Sequence, residues 1–426
     1  MFHRIILTCL LVVMAGMTHA AEPKSAILFI GDGMGVAQTT AARIYQKNAR
    51  DGKLTLDTFK QVALVRTYSA STMVTDSAAS GTAMASGHKT DTLMIGQTPD
   101  GTLLESVLVK AKRAGKSVGI VTTTSVTHAT PATFYAHAAN RYNEVPLALQ
   151  LIEYGEVDVV LGGGKRFFMP KGSKDPESGS GAARKDDRDL IAEAKAKGYR
   201  YIARTSEMES VVADVEAGKD VGKILGLFSP GMMAYELDRP KDLWGEPSLE
   251  EMTRLAISIL SKNPKGYFLL VEGGRIDHAS HANLAKHAVN ETLEFDRSIK
   301  AGLELTNDAE GTLIVVTADH ETGGFAINGY PSIEIGGDAM FSEPAGIGGD
   351  HIVTFATGPG ANRKPEENKA HDDSTYRQPS LVAASSSTHT GVDVACYSAG
   401  PGSEHFAGTL NNTDIGKNLI KLLGLE

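Results

Sequence analysis

Carboxylates and imidazoles recur where apolar runs end in this 426-residue chain. Ile27-Leu28-Phe29-Ile30 enters the turn Gly31-Asp32-Gly33-Met34-Gly35. Tyr267 to Val271 enters Glu272-Gly273-Gly274-Arg275-Ile276-Asp277-His278-Ala279-Ser280-His281, and Val315-Val316 enters Thr317-Ala318-Asp319-His320-Glu321-Thr322. Carboxylates suit hard divalent cations, and imidazole suits borderline ones such as zinc. A turn Asp alone reads as readily as a local cap, and a lone Asp-His pair as polar loop. Two such clusters, each closing an apolar strand, point instead to a pair of divalent cations. Ser387-Thr388-His389-Thr390-Gly391 adds an isolated His just before another apolar run.

A nucleophile candidate lies apart from these clusters. In Val74-Thr75-Asp76-Ser77-Ala78-Ala79-Ser80-Gly81-Thr82-Ala83 a polar step opens an Ala-rich helix. Ser77 then sits at a helix N-terminus, where free N–H groups and the helix dipole attract phosphate and favour an alkoxide. The same residues also read as an Asp or Ser cap with no chemistry.

For such distant groups to meet, their strands must lie side by side. Ala26 to Ile30, Ser117 to Thr123, Val157 to Leu161, Tyr267 to Glu272, Thr312 to Thr317 and Val392 to Tyr397 alternate with helical patterns, which predicts an α/β fold with a parallel, doubly wound sheet. Ligands in such sheets bind beyond the C-terminal strand ends, where Asp32, Glu272 and Asp319 fall. Predicted helices cover Leu103 to Arg113, Ser248 with its capping partner Glu251 to about Leu260, Ala285 to about Leu305, and a C-terminal stretch capped by Thr413 and running through Leu423. Two Gly-, Pro- and Ser-rich stretches, 170–188 and 330–378, read as irregular insertions on one domain spanning 21–426.

Residues 1–20 read as a signal peptide: Arg4, an apolar stretch from Ile5 to Met14, and Thr18-His19-Ala20 as the cleavage site. An exported protein without a membrane anchor is expected. Cys9 leaves with that segment, so Cys396 has no intramolecular partner. The net charge of −9, with no basic run, argues against a nucleic-acid partner.

Taken together, Gly31-Asp32-Gly33-Met34-Gly35, Thr75-Asp76-Ser77-Ala78-Ala79-Ser80 and Thr317-Ala318-Asp319-His320 resemble the alkaline phosphatase family, and the match covers nearly all of the chain after residue 20 in the family's own order. The resemblance implies a three-layer sandwich with a large, mostly parallel central sheet flanked by helices. It implies hydrolysis of a broad range of phosphate monoesters at alkaline pH through a phosphoserine on Ser77, with Arg141 gripping the phosphate. It further implies two zinc ions, one on Asp277, His281 and His389 and one on Asp319, His320 and Asp32, and a magnesium on Asp32, Thr130 and Glu272. A homodimer in the periplasm or outside the cell is the expected setting. His128 and His278 depart from one well-known bacterial form, which has Asp and Lys there, although other members carry His at both. They and Asp76 are expected close behind the ligands, and the nitrogen of His128 suits zinc better than magnesium.

Two other readings compete. A diesterase or sulfatase of the same superfamily is one, although Ser77-Ala78-Ala79-Ser80-Gly81 lacks the Pro and Arg of a sulfatase motif, and Ser77 with Arg141 favours monoesters. A non-catalytic phosphate- or metal-binding protein is the other. His88, His137, His287, His351, His371 and His405 are expected to be structural or solvated, and Arg66, Arg275 and Lys89 to be ordinary ion pairs or surface charges.

Overall fold

The fold is described from a computed structural model for residues 22–47, 50–241, 245–306, 311–329, 336–341, 352–362 and 375–426. The predicted leader, His351 and His371 lie outside these residues, as does most of 330–378. Ten strands form one sheet: β1 (Ser25–Ile30), β2 (Gln61–Arg66), β3 (Ser117–Ser125), β4 (Val159–Gly163), β5 (Tyr199–Ile202), β6 (Lys223–Leu227), β7 (Tyr267–Glu272), β8 (Thr312–Thr317), β14 (Val394–Ala399) and β15 (Gly408–Asn411). The intervening short strands are β9 (Glu321–Thr322), β10 (Ala326–Ile327), β11 (Val353–Gly358), β12 (Ser380–Ala383) and β13 (His389–Thr390), paired in two small ladders.

Strand order in the large sheet is β15-β2-β14-β8-β1-β7-β3-β4-β6-β5. All pairings are parallel except those of β14, which runs antiparallel to both neighbours. The sheet is therefore mostly parallel, as the family resemblance implies, and mixed only at β14, a reversal that strand-helix alternation alone does not report. β14 reverses because it follows the β13 turn directly, with no crossover helix to bring the chain back around.

Both sheet faces are covered, as continuous apolar strands require. Every residue of β1, β7 and β8 is buried. Ala26 pairs with Phe268, so Phe29, three residues on, points to the opposite face. Phe29 packs edge-on against Phe295 of the helix Ala285–Leu305, with centroids 6.1 Å apart, whereas Phe268 stacks on Phe134 at 6.0 Å. The helix Ala285–Leu305 packs against Leu249–Leu260 and Val36–Gln46, and Ser77–Ser86 packs against Asn412–Leu422.

Helix limits follow local chemistry. Ser248 and Glu251 form the predicted capping box. The helix expected from Leu103 begins at Val107, because Ser106 caps it by accepting from Val109 N–H at 3.2 Å. The C-terminal helix is capped by Asn411 with Asp414, two residues before the predicted Thr413. Segment 170–188 is tied to the body by ion pairs, with buried Lys165 held between Asp175 at 2.6 Å and Glu177 at 2.8 Å.

Candidate metal and phosphate site

Strand register decides which groups meet. β1 lies between β7 and β8, with Ile30 opposite Glu272 on one side and Thr317 on the other, and Thr122 of β3 opposite Glu272. The C-terminal ends of four adjacent strands thus bring Asp32, Glu272, Asp319 and His320 into one crevice. Asp277 and His281 lie on the helix Arg275–His281, four residues apart and so on one face. Gly33 makes the turn possible: it has φ +72°, and a Cβ there would lie 2.7 Å from the Asp277 Cα. Its N–H donates to Asp319 Oδ1 at 3.1 Å.

Among the described residues, three groups of side chains offer converging ligand atoms: Asp277, His281 and His389; Asp32, Asp277 and His320; and Asp32, His128 and Glu272. Asp319 joins the second, with Oδ2 3.2 Å from His320 Nε2, while Asp32 Oδ1 is 3.6 Å from the same nitrogen. Asp277 Oδ2 lies 3.2 Å from His281 Nε2.

Hydrogen bonds on the outer side of each ring fix the tautomers. His281 Nδ1 is 2.6 Å from the Ser387 carbonyl oxygen and His389 Nδ1 is 2.9 Å from that of Thr75. A carbonyl only accepts, so both Nδ1 atoms carry the proton and both Nε2 lone pairs face inward, 3.1 Å apart. The Thr322 hydroxyl donates to Asp277 Oδ1, so its oxygen accepts from His320 Nδ1 at 3.2 Å and leaves His320 Nε2 free.

The carboxylates test whether cations fit. Both oxygens of Asp32, Oδ2 of Asp319, Oε1 of Glu272, Oγ1 of Thr130 and Nδ1 of His128 are buried without a hydrogen-bond partner. Orphaned polar atoms of this kind are costly unless a ligand satisfies them. Burial first, then the neighbouring charges of Asp319, Asp277 and Glu272, pushes Asp32 well above the usual carboxylate range. Burial likewise pushes Glu272 and Asp319 up to about 7. At Asp277 burial also acts upward, but the facing imidazoles of His281, His389 and His320 outweigh it and hold the carboxyl low. Oxygens and nitrogens converging in a dry crevice fit divalent cations.

Ser77 is 1% exposed and opens the helix Ser77–Ser86, capped by Asp76, whose Oδ1 accepts from Ala79 N–H at 3.1 Å. Its Oγ lies 3.2 Å from His320 Nε2, at the edge of the cation groups. Arg141 is fixed on two sides: Nη1 is 3.1 Å from Asp76 Oδ2, and Nη2 donates to His128 Nε2 at 3.0 Å. Burial and the charge of Arg141 hold His128 neutral, and burial lowers His278 to about 3. The structure therefore gathers Ser77, Arg141, Asp32, Asp277, His281, His389, Asp319, His320, Thr130 and Glu272, with Asp76, His128 and His278 beside them. His128 lies close to Asp32 and Glu272, but its Nε2 accepts from Arg141, so its one ring proton sits on Nδ1 and the ring stands beside the ligands.

Several supporting residues have no signal in the sequence. Thr122 and Thr124 donate to Glu272 Oε2. Buried Asn283 donates to the Thr357 carbonyl and to Ser387 Oγ, and so clips the helix bearing His281 to the loop before His389. Leu93, at φ +72°, gives its N–H to both oxygens of Asp76 at 3.2 Å and accepts Arg141 N–H at 2.9 Å. Of the histidines set aside, His137 binds the Leu104 carbonyl at 2.9 Å and His287 binds Asp238 at 2.9 Å, away from the site. Arg275 is no ordinary ion pair: its Nη1 is 3.1 Å from His278 Nδ1.

Residues 23–425 match the sequence profile of the family described as Alkaline phosphatase. The chain is 37% identical to alkaline phosphatase of Gadus morhua, covering 89% of this chain and 87% of that one. It is 38% identical to the tissue-nonspecific alkaline phosphatase of Homo sapiens, covering 89% and 79%. Among solved structures, alkaline phosphatase of Thermus thermophilus superposes with a TM-score of 0.74 at 29% identity, covering 95% and 92%. That of the Antarctic bacterium TAB5 superposes with 0.73 at 28%, covering 95% and 100%, and a His-to-Asp variant of it carries magnesium in its M3 site.

Proposed function

The chain belongs to the alkaline phosphatase family and is a metal-dependent phosphomonoesterase, and from that premise we propose that hydrolysis proceeds through a phosphoserine on Ser77 in a site for two zinc ions and one magnesium. Asp277, His281 and His389 would hold one zinc, and Asp319, His320 and Asp32 the second. Asp32, Glu272 and Thr130 would hold the third ion, and His128 would add a nitrogen that favours zinc over magnesium only on releasing the Arg141 hydrogen bond, which leaves its one proton on Nδ1. Bound cations supply positive charge that neutralises the carboxylates and polarises the attacking and leaving oxygens.

The chain's own groups account for the rest. Arg141, aimed by Asp76, can span two nonbridging oxygens of the dianion through its planar fork. Ser77 Oγ gives its proton to solvent and forms a bond to phosphorus as the bond to the ester oxygen breaks, and that oxygen takes up one proton from solvent to leave as the alcohol. The N–H groups at the start of the helix Ser77–Ser86 favour the phosphoserine dianion. Water then attacks from the vacated side and restores Ser77, so two inversions give net retention at phosphorus. Positioning and charge carry the rate, as expected for loose phosphoryl transfer.

One observation carries this reading: the Ser77 hydroxyl stands 3.2 Å from His320 Nε2, the nitrogen that Asp319 Oδ2 and Asp32 Oδ1 face, two oxygens with no hydrogen-bond partner. Rapid quenching with a labelled monoester tests it. Label is expected on Ser77 of the wild type and absent from Ser77→Ala; a labelled Ser77→Ala protein would overturn it. A broad range of monoesters, a homodimer and an exported location complete the reading. Exposed Val62 and Leu64 on β2 offer apolar surface for a second copy. Among the described residues no helix is long and apolar enough to cross a membrane.

A further inference from the structure

Arg275 opens the helix that carries Asp277, His278 and His281, and Tyr235 packs against it, yet neither belongs to the ligand groups or to the nucleophile helix. The Arg275 guanidinium rests on the Tyr235 ring, 3.8 Å from its centroid. Tyr235 is steadied from behind by His287, with ring centroids 4.7 Å apart, and His287 is in turn bonded to Asp238. Stacking of this kind fixes the plane of the guanidinium and therefore the direction of its N–H bonds.

Arg275 Nη1 is 3.1 Å from His278 Nδ1. A guanidinium has only protons to give, so His278 Nδ1 is the acceptor. The one ring proton of the neutral imidazole must then sit on Nε2. His278 stands edge-to-face against His128, with centroids 5.3 Å apart, and His128 is bonded to the phosphate-gripping Arg141.

We propose that Arg275, held flat by Tyr235, is a positioning residue for phosphate: it locks His278 as the Nε2–H tautomer, so that a hydrogen-bond donor, not a lone pair, stands beside Arg141 in the anion site. The proposal rests on the phosphate-gripping role of Arg141 given above. A lone pair at Nε2 would repel the dianion, whereas a donor adds a charge-assisted hydrogen bond, directly or through one water. Chemistry at the Ser77 oxygen is untouched, so the effect belongs in binding.

Two measurements on the metal-loaded enzyme test this. The first is the ring-nitrogen NMR signature of His278, assigned by its disappearance in His278→Gln. The wild type should show Nε2–H, and Arg275→Met a mixture of tautomers. The second is competitive inhibition by inorganic phosphate. Arg275→Met should weaken it about tenfold with zinc and magnesium content unchanged, Tyr235→Leu should weaken it less, and Arg275→Lys should recover part of the loss.

A wild-type His278 protonated on Nδ1 overturns the proposal whatever the variants do. So does an unchanged phosphate inhibition constant in a metal-replete Arg275→Met enzyme. Failure of the Arg141 assignment reads differently: phosphate inhibition would then survive Arg141→Lys while the His278 tautomer remained as stated.

Discussion

Glu291 should make the enzyme lose stability as the pH rises towards its working range. It lies on the helix Ala285–Leu305, only 3% exposed, and accepts the Glu236 backbone N–H at 2.6 Å. Burial pushes its carboxyl up to about 8, against the lowering effect of that hydrogen bond and of Arg275, and with help from the charges of Glu236 and Glu294. In the unfolded chain a Glu titrates near about 4.3. The native state therefore binds the proton more tightly, and the stability this confers is complete below about 4.3 and lost as pH rises through about 8. A shift of between three and four units, at about 1.4 kcal/mol each, sets an upper bound of about 5 kcal/mol. Relaxation around the ionised group leaves about 2–5 kcal/mol.

Glu291→Gln keeps a carbonyl for the Glu236 N–H and cannot ionise. Urea unfolding of metal-loaded wild type and variant at pH 5 and pH 9 measures the effect. The two should be nearly equal at pH 5, and the variant more stable by about 2–5 kcal/mol at pH 9. Protonation of the metal ligands alters both proteins alike and cancels in the difference. A wild-type-to-variant difference that is the same at both pH values would refute the reasoning.

Leu93→Val should weaken phosphate binding, because a β-branched residue resists the left-handed backbone by about 1–2 kcal/mol, whereas Leu93→Gly should retain binding; calorimetry of phosphate with both proteins decides, and equal affinities would remove the backbone from the argument. Thr322→Val deletes the hydroxyl that joins Asp277 to His320 and should cost about 10–100-fold in zinc affinity, read by chelator competition. Arg141→Lys keeps the charge but loses the fork, so KM should rise about tenfold or more in steady-state assays with a monoester.

The ligand clusters were legible in the sequence because each sits where a strand ends, and apolar runs followed by Asp or Glu can be recognised locally. Ser77 was legible for a similar reason, as a polar residue opening an Ala-rich helix. Arg141, by contrast, lies in Asn140-Arg141-Tyr142, which carries no local signal, and was named only through the family resemblance. Leu93, Thr322 and Asn283 show why the rest was hidden. Each acts through a backbone group or a single hydroxyl or amide with a partner distant in sequence, 17 residues away for Leu93 and Asp76, 45 for Thr322 and Asp277, and 104 for Asn283 and Ser387. The strand at Val392 to Tyr397 was legible but the antiparallel direction of β14 was not, because alternation of strands and helices reports crossovers, and β14 has none.

By itself the sequence determined the class of fold and offered candidate ligands and a candidate nucleophile, since periodicity, strand-end residues and helix openings are properties of neighbouring positions. Only the tertiary structure decided which imidazole nitrogen faces inward, which carboxylate oxygens lack a partner, and that Arg275 reaches His278 from the Tyr235 ring. Those facts depend on the direction of hydrogen bonds between segments far apart in the chain, and direction exists only once the strands are paired and the helices packed.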